Sequence, residues 1–313
     1  MKSRIAIIIA TVFVCAVAVL GIFAFMRQPQ PARPAAHNKL QVTATFYPMA
    51  EFARQVGGNL VQVSTLVKPG VEPHDYDPAP QAVAGIYTSD VLVYNGADLE
   101  RWVGKLQSGL QKHDVTVVRA SAGIPLRAAD ASDADAVGGA DPHVWMNPAL
   151  AITEVDNIRS GLTKADPANA NVYATNAAAY TMQLQALDTA FAAGLASCQV
   201  RTIITSHQAF SYLAAQYNLR AVGIAGLSPD DEPSPQKLAQ VATLARQNHV
   251  DYIFFEELVS PKLSQTIATE VGAKTIAFNP LEGLSTQEIR SGQNYLTVQQ
   301  ANLQALRTAL HCK

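Results

Sequence analysis

The chain has 313 residues, of which 49% are hydrophobic, 15% charged and 7% aromatic. This composition is typical of an ordered globular protein and excludes a disordered chain, and the length predicts two domains or lobes. The formal net charge is −2, from 23 basic and 25 acidic side chains. No cluster of lysine and arginine beyond residue 27 could follow a phosphate backbone, so we do not expect nucleic acid as a partner.

Residues 1–27 predict a membrane segment. Lys2 and Arg4 precede an uncharged apolar run from Ile5 to Met26. As a helix, that run would be about 33 Å long, which is enough to cross a bilayer. A secretory signal usually has a shorter apolar region and a small-x-small cleavage site, and we find no convincing site of that kind. We therefore favour an uncleaved anchor over a removed signal peptide, and either one predicts that the rest of the chain is exported.

Residues 28–38 are rich in proline and alanine and predict a spacer, and residues 39–147 predict an N-terminal lobe. Strand-like and helix-like segments alternate in this lobe, which indicates a parallel sheet with helices on both faces. The predicted strands are Leu40–Thr45, Val61–Val67, Val91–Tyr94 and Val115–Val118, and the helices are Tyr47–Gly57, Pro78–Thr88 and Leu99–Leu110. The stretch Ser121–Ala140 contains small residues, three aspartates and no histidine, and it predicts an ordinary flexible loop.

Residues 148–197 predict linking helices. The stretch Ala168–Ala196 has no interior proline, so it predicts one long helix of about 44 Å. Residues 198–313 then repeat the strand and helix order and predict a C-terminal lobe. The predicted strands are Thr202–Thr205, Ala221–Ile224, Tyr252–Phe255 and Thr275–Phe278, and the helices are Phe210–Tyr217, Ser234–Asn248, Pro261–Val271 and Tyr295–Leu310. The sequence therefore predicts an α/β fold with two lobes, each a parallel sheet flanked by helices, joined by one long rigid helix.

Two cysteines remain after the N-terminal segment, Cys198 and Cys312. In an exported chain such a pair permits one disulfide, but two cysteines also occur unpaired by chance. The sequence leaves this pairing open. A zinc site made of thiolates is not expected, because no CxxC spacing exists in the chain.

Three of the seven histidines lie in loops with unusual neighbours: His74 in EPHDYDP, His143 in DPHVWMNP and His207 in TSHQAF. His74 and His207 follow predicted strands, and the carboxyl ends of parallel strands face the crevice where α/β folds bind ligands. Glu282 follows the last predicted strand in the same way, in NPLEGL. Three imidazoles and one carboxylate form a tetrahedral set that zinc accepts readily. We expect the other four histidines to be solvated surface residues.

Three aspartates close to these histidines, Asp75, Asp77 and Asp141, are candidates to accept the free ring N–H of a ligating histidine. Such carboxylate partners fix the orientation of a histidine ring at a metal. Binding of zinc to neutral imidazoles also predicts that affinity falls as the pH drops through about 6.5.

The loops EPHDYDP, DPHVWMNP, TSHQAF and FNPLEGL, in this order, resemble those of the zinc/manganese solute-binding proteins of ABC transporters. This family includes proteins also described as metal-binding surface adhesins, and the resemblance covers about Leu40 to Leu310. It implies two lobes linked by one long helix, with the metal in the cleft between them. It also implies that His74, His143 and His207 bind the metal.

The fourth ligand is less directly implied by this resemblance. Many relatives have an aspartate where this chain has Asn279, whereas others with NPLEGL use the glutamate, here Glu282. We favour Glu282, with a water molecule as the alternative. Manganese-preferring relatives have a glutamate in the position of His207, so nitrogen at that position favours Zn²⁺ over Mn²⁺.

The resemblance implies a protein that captures zinc and delivers it to an ABC transporter permease, and that is not an enzyme. Together with the predicted membrane segment, it indicates an exported, membrane-anchored protein, which we expect to be a monomer. One alternative is capture of manganese or iron by the same fold, and another is a surface adhesin whose zinc is structural. A zinc hydrolase is a further alternative, since three histidines with an open fourth position can activate water. A hydrolase also needs a positioned base and a substrate pocket, and the spacing singles out neither Glu257 nor Asp75 as that base.

Overall fold

The computed structural model describes residues 39–128 and 139–313, and the residues from Lys39 onward form one compact unit. The predicted membrane segment 1–27 and the spacer 28–38 lie outside the described residues. Within the described part of the chain, none of the helices combines the length and the apolar character that a membrane crossing requires.

Four parallel strands form the sheet of the N-terminal lobe, in the spatial order β2-β1-β3-β4. The strands are β1 (Leu40–Ala44), β2 (Val61–Thr65), β3 (Val91–Tyr94) and β4 (Thr116–Arg119), and the helices are α1 (Tyr47–Gly57), α2 (Pro80–Ile86) and α3 (Val103–Lys112). All the predicted elements of this lobe are present; α1 and β3 have the predicted ends, and the ends of the others differ by up to four residues. The chain leaves β1 for β2 on one side and returns to β3 on the other, and a ligand crevice forms at such a reversal of strand order.

Most of the predicted loop Ser121–Ala140 lies outside the described residues. At its two ends, Ala128 and Ala140 form an isolated antiparallel bridge. The backbone N–H of Asp141 also donates to the carbonyl of Arg127 at 2.9 Å. The two ends of this loop are therefore hydrogen-bonded to each other where the segment that carries His143 begins.

Two helices link the lobes, α4 (Pro148–Ala165) and α5 (Ala170–Gly194). Helix α4 begins with a proline, after an Asn147 side chain that accepts from the backbone N–H of Ala149. Helix α5 has 25 residues and is about 38 Å long. It is two residues shorter at each end than the predicted Ala168–Ala196, and a 3₁₀ turn at Pro167–Asn169 precedes its first residue. One apolar cluster includes buried residues of both lobes and of both linking helices, so the helices share a core with the lobes.

The C-terminal lobe contains two parallel pairs of strands, β5–β6 and β7–β8, where the sequence suggested one sheet. The strands are β5 (Thr202–Thr205), β6 (Arg220–Gly223), β7 (Tyr252–Phe255) and β8 (Lys274–Ala277), and the helices are α6 (Ser211–Gln216), α7 (Pro235–Gln247), α8 (Lys262–Val271), α9 (Thr286–Arg290) and α10 (Tyr295–Ala309). Side chains join the two pairs at their carboxyl ends, where the backbone N–H of His207 donates to Glu256 Oε1 (3.3 Å).

Helix α9 is absent from the sequence prediction. Its first turn contains a capping box, in which the Ser285 side chain accepts from the N–H of Glu288 and the Glu288 side chain accepts from the N–H of Ser285. A serine followed three residues later by glutamate is a recognised start signal for a helix, so the sequence did carry evidence for it.

A disulfide joins Cys198 to Cys312. It connects the segment before β5 to the residues after α10, and so closes the chain end onto the start of the C-terminal lobe. The pairing that the sequence left open is therefore made.

Candidate metal centre

Four side chains converge at the carboxyl ends of the strands, and they are the four that the sequence singled out. One ligand-type atom from each of His74, His143, His207 and Glu282 lies within 4.8 Å of the others. Glu282 Oε1 is 3.2 Å from His74 Nε2, 3.1 Å from His143 Nε2 and 3.0 Å from His207 Nε2. Three ring nitrogens and one carboxylate oxygen therefore face one point, which is a donor set that suits a tetrahedral zinc ion.

His143 is fixed by a carboxylate in its own turn. Its Nδ1 lies 2.8 Å from Asp141 Oδ1, and its backbone N–H donates to the same oxygen at 3.0 Å. The other oxygen of Asp141 accepts from the hydroxyl of Ser211, which belongs to the C-terminal lobe. With the Nδ1 proton directed to Asp141, the Nε2 lone pair of His143 faces the cluster.

His207 follows β5 directly and has a carboxylate partner on the neighbouring pair of strands. Its Nδ1 lies 2.8 Å from Glu256 Oε1 and 2.9 Å from Glu256 Oε2. Both residues are buried. Sequence reasoning missed Glu256 and considered its neighbour Glu257, which is exposed. The signal available in the sequence was the position of Glu256 directly after β7, the same kind of position that identified His207.

The prediction of ring partners was correct for Asp141 and wrong for Asp75 and Asp77. Both of these side chains are exposed, and no hydrogen bond joins either to a histidine ring within the described residues. The backbone N–H of Tyr76 donates to the carbonyl of Pro73 at 3.1 Å, and this tight turn leaves the two aspartates on the solvent side. Glu72 lies beside His74 instead, with its Oε1 3.9 Å from His74 Nε2.

The loop that carries Glu282 is held by amide side chains. Asn279 Oδ1 accepts from the backbone N–H of Leu281 at 2.7 Å, and the Asn302 side chain pairs with both the N–H and the carbonyl of Asn279. Leu281 has a φ of 59°, a conformation that is uncommon for a residue with a side chain. Asn279 thus supports the turn that directs Glu282 into the cluster, while its own side chain lies outside it.

Burial and charge act on the pKa values of these groups in opposite directions. Burial lowers the pKa of His74. For His143 and His207 burial has the same effect, but the carboxylates around them outweigh it and raise both pKa values, that of His207 well above its usual range. For Glu282, burial opposes ionisation, and the three histidines nevertheless hold its pKa well below the usual range. A cation that binds here must therefore displace protons from the histidines.

Access to the cluster is from one side. The side chains of His143 and His207 are 0% exposed and Glu282 is 1% exposed, whereas His74 is 8% exposed. His74 also lines a groove of about 920 Å³ together with Asp77, Trp102 and residues of the segment 224–240. The other three side chains of the cluster are closed off from solvent.

Comparison with known proteins agrees with this geometry. The family described as zinc-uptake complex component A, periplasmic, matches residues 42–309. The high-affinity zinc uptake system protein ZnuA of Bacillus subtilis (strain 168) is 40% identical over 284 residues, which cover 88% of this chain and 89% of that protein. The zinc-binding lipoprotein AdcA of Streptococcus pneumoniae serotype 4 is 40% identical over 280 residues. That match covers 87% of this chain and 56% of AdcA, so the chain spans just over half the length of that relative.

A solved structure shows the same fold. The crystal structure of the Zn(II)-bound ZnuA-like domain of Streptococcus pneumoniae AdcA superposes with a TM-score of 0.76 at 40% identity, and it covers 87% of this chain and 99% of that domain. Sequence, fold and site composition thus agree. The chain belongs to the family of periplasmic zinc-uptake complex component A proteins.

Proposed function

We propose that this protein is the exported solute-binding component of a zinc importer, and that His74, His143, His207 and Glu282 bind the transported Zn²⁺. The observation that carries this proposal is the convergence of three Nε2 atoms on one buried carboxylate oxygen. The relatives are named for zinc uptake and zinc binding, and the similar domain of AdcA was solved with Zn(II) bound.

The composition of the cluster favours zinc over manganese and iron. Manganese prefers sites dominated by carboxylate, carbonyl and water oxygens, whereas imidazole nitrogen suits zinc. Here three donors of four are imidazoles, and one carboxylate completes the set. Capture of manganese is therefore the weaker alternative. The closed surroundings of the cluster also favour a carrier over a hydrolase, because a catalytic zinc keeps an open position for water or substrate.

The bound ion ties the two lobes together. His74 and His143 belong to the N-terminal lobe, and His207 and Glu282 to the C-terminal lobe. Direct contacts also join the lobes beside the cluster, where the Trp145 indole N–H donates to the carbonyl of Pro280 at 2.8 Å. Since one core and two long helices connect the lobes, we propose that zinc is released by small loop movements and not by a wide hinge.

The partner and location follow from the same proposal. The protein acts as a monomer outside the cytoplasmic membrane, tethered by residues 1–27, and gives zinc to an ABC transporter permease that docks over both lobes. The names of the relatives, a lipoprotein and a periplasmic uptake component, support an extracytoplasmic location.

Calorimetry tests this proposal directly. The full-length protein in detergent is stripped of metal and titrated with zinc and then with manganese. One tight zinc site per chain with weak manganese binding is the expected result, and it should be lost in His143→Ala. His249→Ala is the matched control, since His249 is exposed and lies outside the cluster. If the wild-type protein shows no tight zinc site, the carrier function is wrong.

A further inference from the structure

Glu72 lies at the outer edge of the cluster and is not one of its four members. Its Oε1 accepts from the backbone N–H of His74 at 3.0 Å and lies 3.9 Å from His74 Nε2. Its Oε2 is buried and has no hydrogen-bond partner within the described residues, and burial together with the nearby Glu282 carboxylate raises the pKa of Glu72 to about 9. A buried polar atom without a partner costs about 1–3 kcal/mol, so an unpaired oxygen at this position requires an explanation.

The exposure of the side chains places Glu72 on the path from solvent. Glu72 is 16% exposed and His74 is 8% exposed, whereas Glu282 is 1% exposed and both other histidines are 0% exposed. An ion that approaches the cluster from solvent therefore meets Glu72 and His74 before it reaches Glu282, His143 or His207. Pro73, which is buried, separates the two residues and restricts the backbone between them.

We propose that Glu72 is a transient ligand that binds the zinc ion on its way into and out of the four-residue site. The inference rests on the proposed zinc-binding function. Zinc accepts a fifth ligand for short periods, so Glu72 can hold the ion while His74 Nε2 and Glu282 Oε1 replace its water molecules. When the ion leaves the site, Glu72 binds it as the bond between the ion and His74 breaks. Oε1 already accepts from the N–H of His74, so the unpaired and buried Oε2 is the oxygen left for this bond.

A transient ligand has a characteristic kinetic effect. It lowers the barrier between the free and the bound ion, and one barrier is crossed in both directions. Association and dissociation are therefore accelerated by the same factor, and the equilibrium affinity hardly changes. A residue that only supports His74, or that is a permanent ligand, would instead change the affinity.

Glu72→Gln tests this role. The glutamine keeps an oxygen that can accept from the His74 N–H, but it lacks the carboxylate that binds a cation. Stopped-flow measurements on the full-length protein would use zinc and a fluorescent zinc indicator to obtain both rate constants. We expect both rates to fall by about tenfold, the lower end of the effects seen for residues around a metal, while the Kd changes by less than about threefold.

Asp77→Asn is the matched control. Asp77 is an exposed carboxylate of the same loop and lines the groove that His74 also lines, so its substitution removes a carboxylate from this loop without removing a group beside His74. If these carboxylates only attract the ion through space, both substitutions would slow association, and this slowing would disappear at high salt. Slowing that occurs in Glu72→Gln alone, and persists in salt, supports direct binding of the ion by Glu72.

Three outcomes would overturn the inference. Unchanged rates in Glu72→Gln, or equal slowing in Glu72→Gln and Asp77→Asn, would show that Glu72 does not bind the ion. A weaker Kd with unchanged association would make Glu72 a permanent ligand or a support for His74. Failure of the wild-type protein to bind zinc at all would remove the proposed function itself, and that result is distinguishable from a defect confined to the variant.

Discussion

The Nδ1 atom of His207 lies 2.8 Å from Oε1 of Glu256, although 49 residues separate the two along the chain. Asp141 Oδ1 has the same relationship with His143 Nδ1, also at 2.8 Å. In each pair the carboxylate accepts the Nδ1 proton, so the Nε2 lone pair is available to a metal ion. One histidine of each lobe is therefore oriented in the same way, whereas within the described residues no hydrogen bond reaches Nδ1 of His74.

Glu256→Gln should weaken zinc binding by about 10- to 100-fold, because an amide neither carries the charge nor reliably selects the Nδ1-protonated form of His207. Competition with a zinc indicator of known affinity measures this change. Glu257→Gln is the control, since Glu257 is the exposed neighbour and should leave affinity unchanged. Equal affinities for wild type and Glu256→Gln would mean that packing alone orients His207.

Glu282→Gln should weaken zinc binding by more than about tenfold, while Asn279→Ala should have a smaller effect. Glu282 Oε1 touches all three histidine nitrogens, whereas Asn279 acts through the N–H of Leu281. Calorimetric titration of both variants ranks them. A larger loss in Asn279→Ala would contradict the proposal that Glu282 is the fourth ligand.

Zinc binding should release about one or more protons at pH 7, because the ligands must be deprotonated to bind. Despite burial, the pKa values of His143 and His207 are raised by Asp141, Glu256 and Glu282, so these rings are protonated below their raised values. Affinity for zinc should therefore decrease as the pH is lowered. The decrease should begin at a higher pH than the value of about 6.5 expected for a free histidine. Calorimetry in buffers of different ionisation enthalpy counts the protons. A binding heat that is independent of the buffer would contradict this prediction.

Glu154 of α4 should make the protein less stable as the pH rises. Its side chain is fully buried, neither oxygen has a hydrogen-bond partner within the described residues, and burial together with Glu100 raises its pKa well above the usual range. In the unfolded chain this group ionises near pH ~4.3, so above that pH the native state binds the extra proton. Stability is then highest below the unfolded pKa and falls with rising pH until the folded pKa is reached.

Glu154→Gln removes this titration and keeps the shape of the side chain. The free energy of unfolding of this variant, relative to that of the wild type, should increase by up to about 1.4 kcal/mol for each unit of rising pH within that window. Urea unfolding at pH 5 and pH 8 measures the difference. A constant difference between the two proteins at both pH values would show that Glu154 does not titrate between them.

The Cys198–Cys312 disulfide spans 114 residues, so its loss should reduce the free energy of unfolding substantially. The chain-entropy estimate for a loop of this size is about 4 to 5 kcal/mol. The double variant Cys198→Ser, Cys312→Ser is compared with wild type by urea unfolding, with and without reductant. Reductant should lower the stability of the wild type alone. Identical stability of the two proteins without reductant would show that the bridge does not constrain the unfolded chain.

The sequence by itself determined the local elements. The strands Val91–Tyr94, Thr202–Thr205 and Tyr252–Phe255 were predicted with the ends that the structure has. These assignments succeed because apolar periodicity and the positions of glycine and proline are local properties of the chain. The four residues of the cluster were found for a related reason, since each lies in a loop whose residue types suit a metal and three of them follow strands.

Only the tertiary structure decided the contacts between distant segments. Three features depend on how elements far apart in the chain pack. They are the use of Glu256, and not Asp75 or Asp77, as a ring partner, the unpaired oxygens of Glu154 and Glu72, and the Cys198–Cys312 bridge. No local pattern specifies which side of a turn faces the cluster. That orientation is fixed by the packing of the two lobes, because a side chain becomes a partner only when another element brings a complementary atom to about 3 Å.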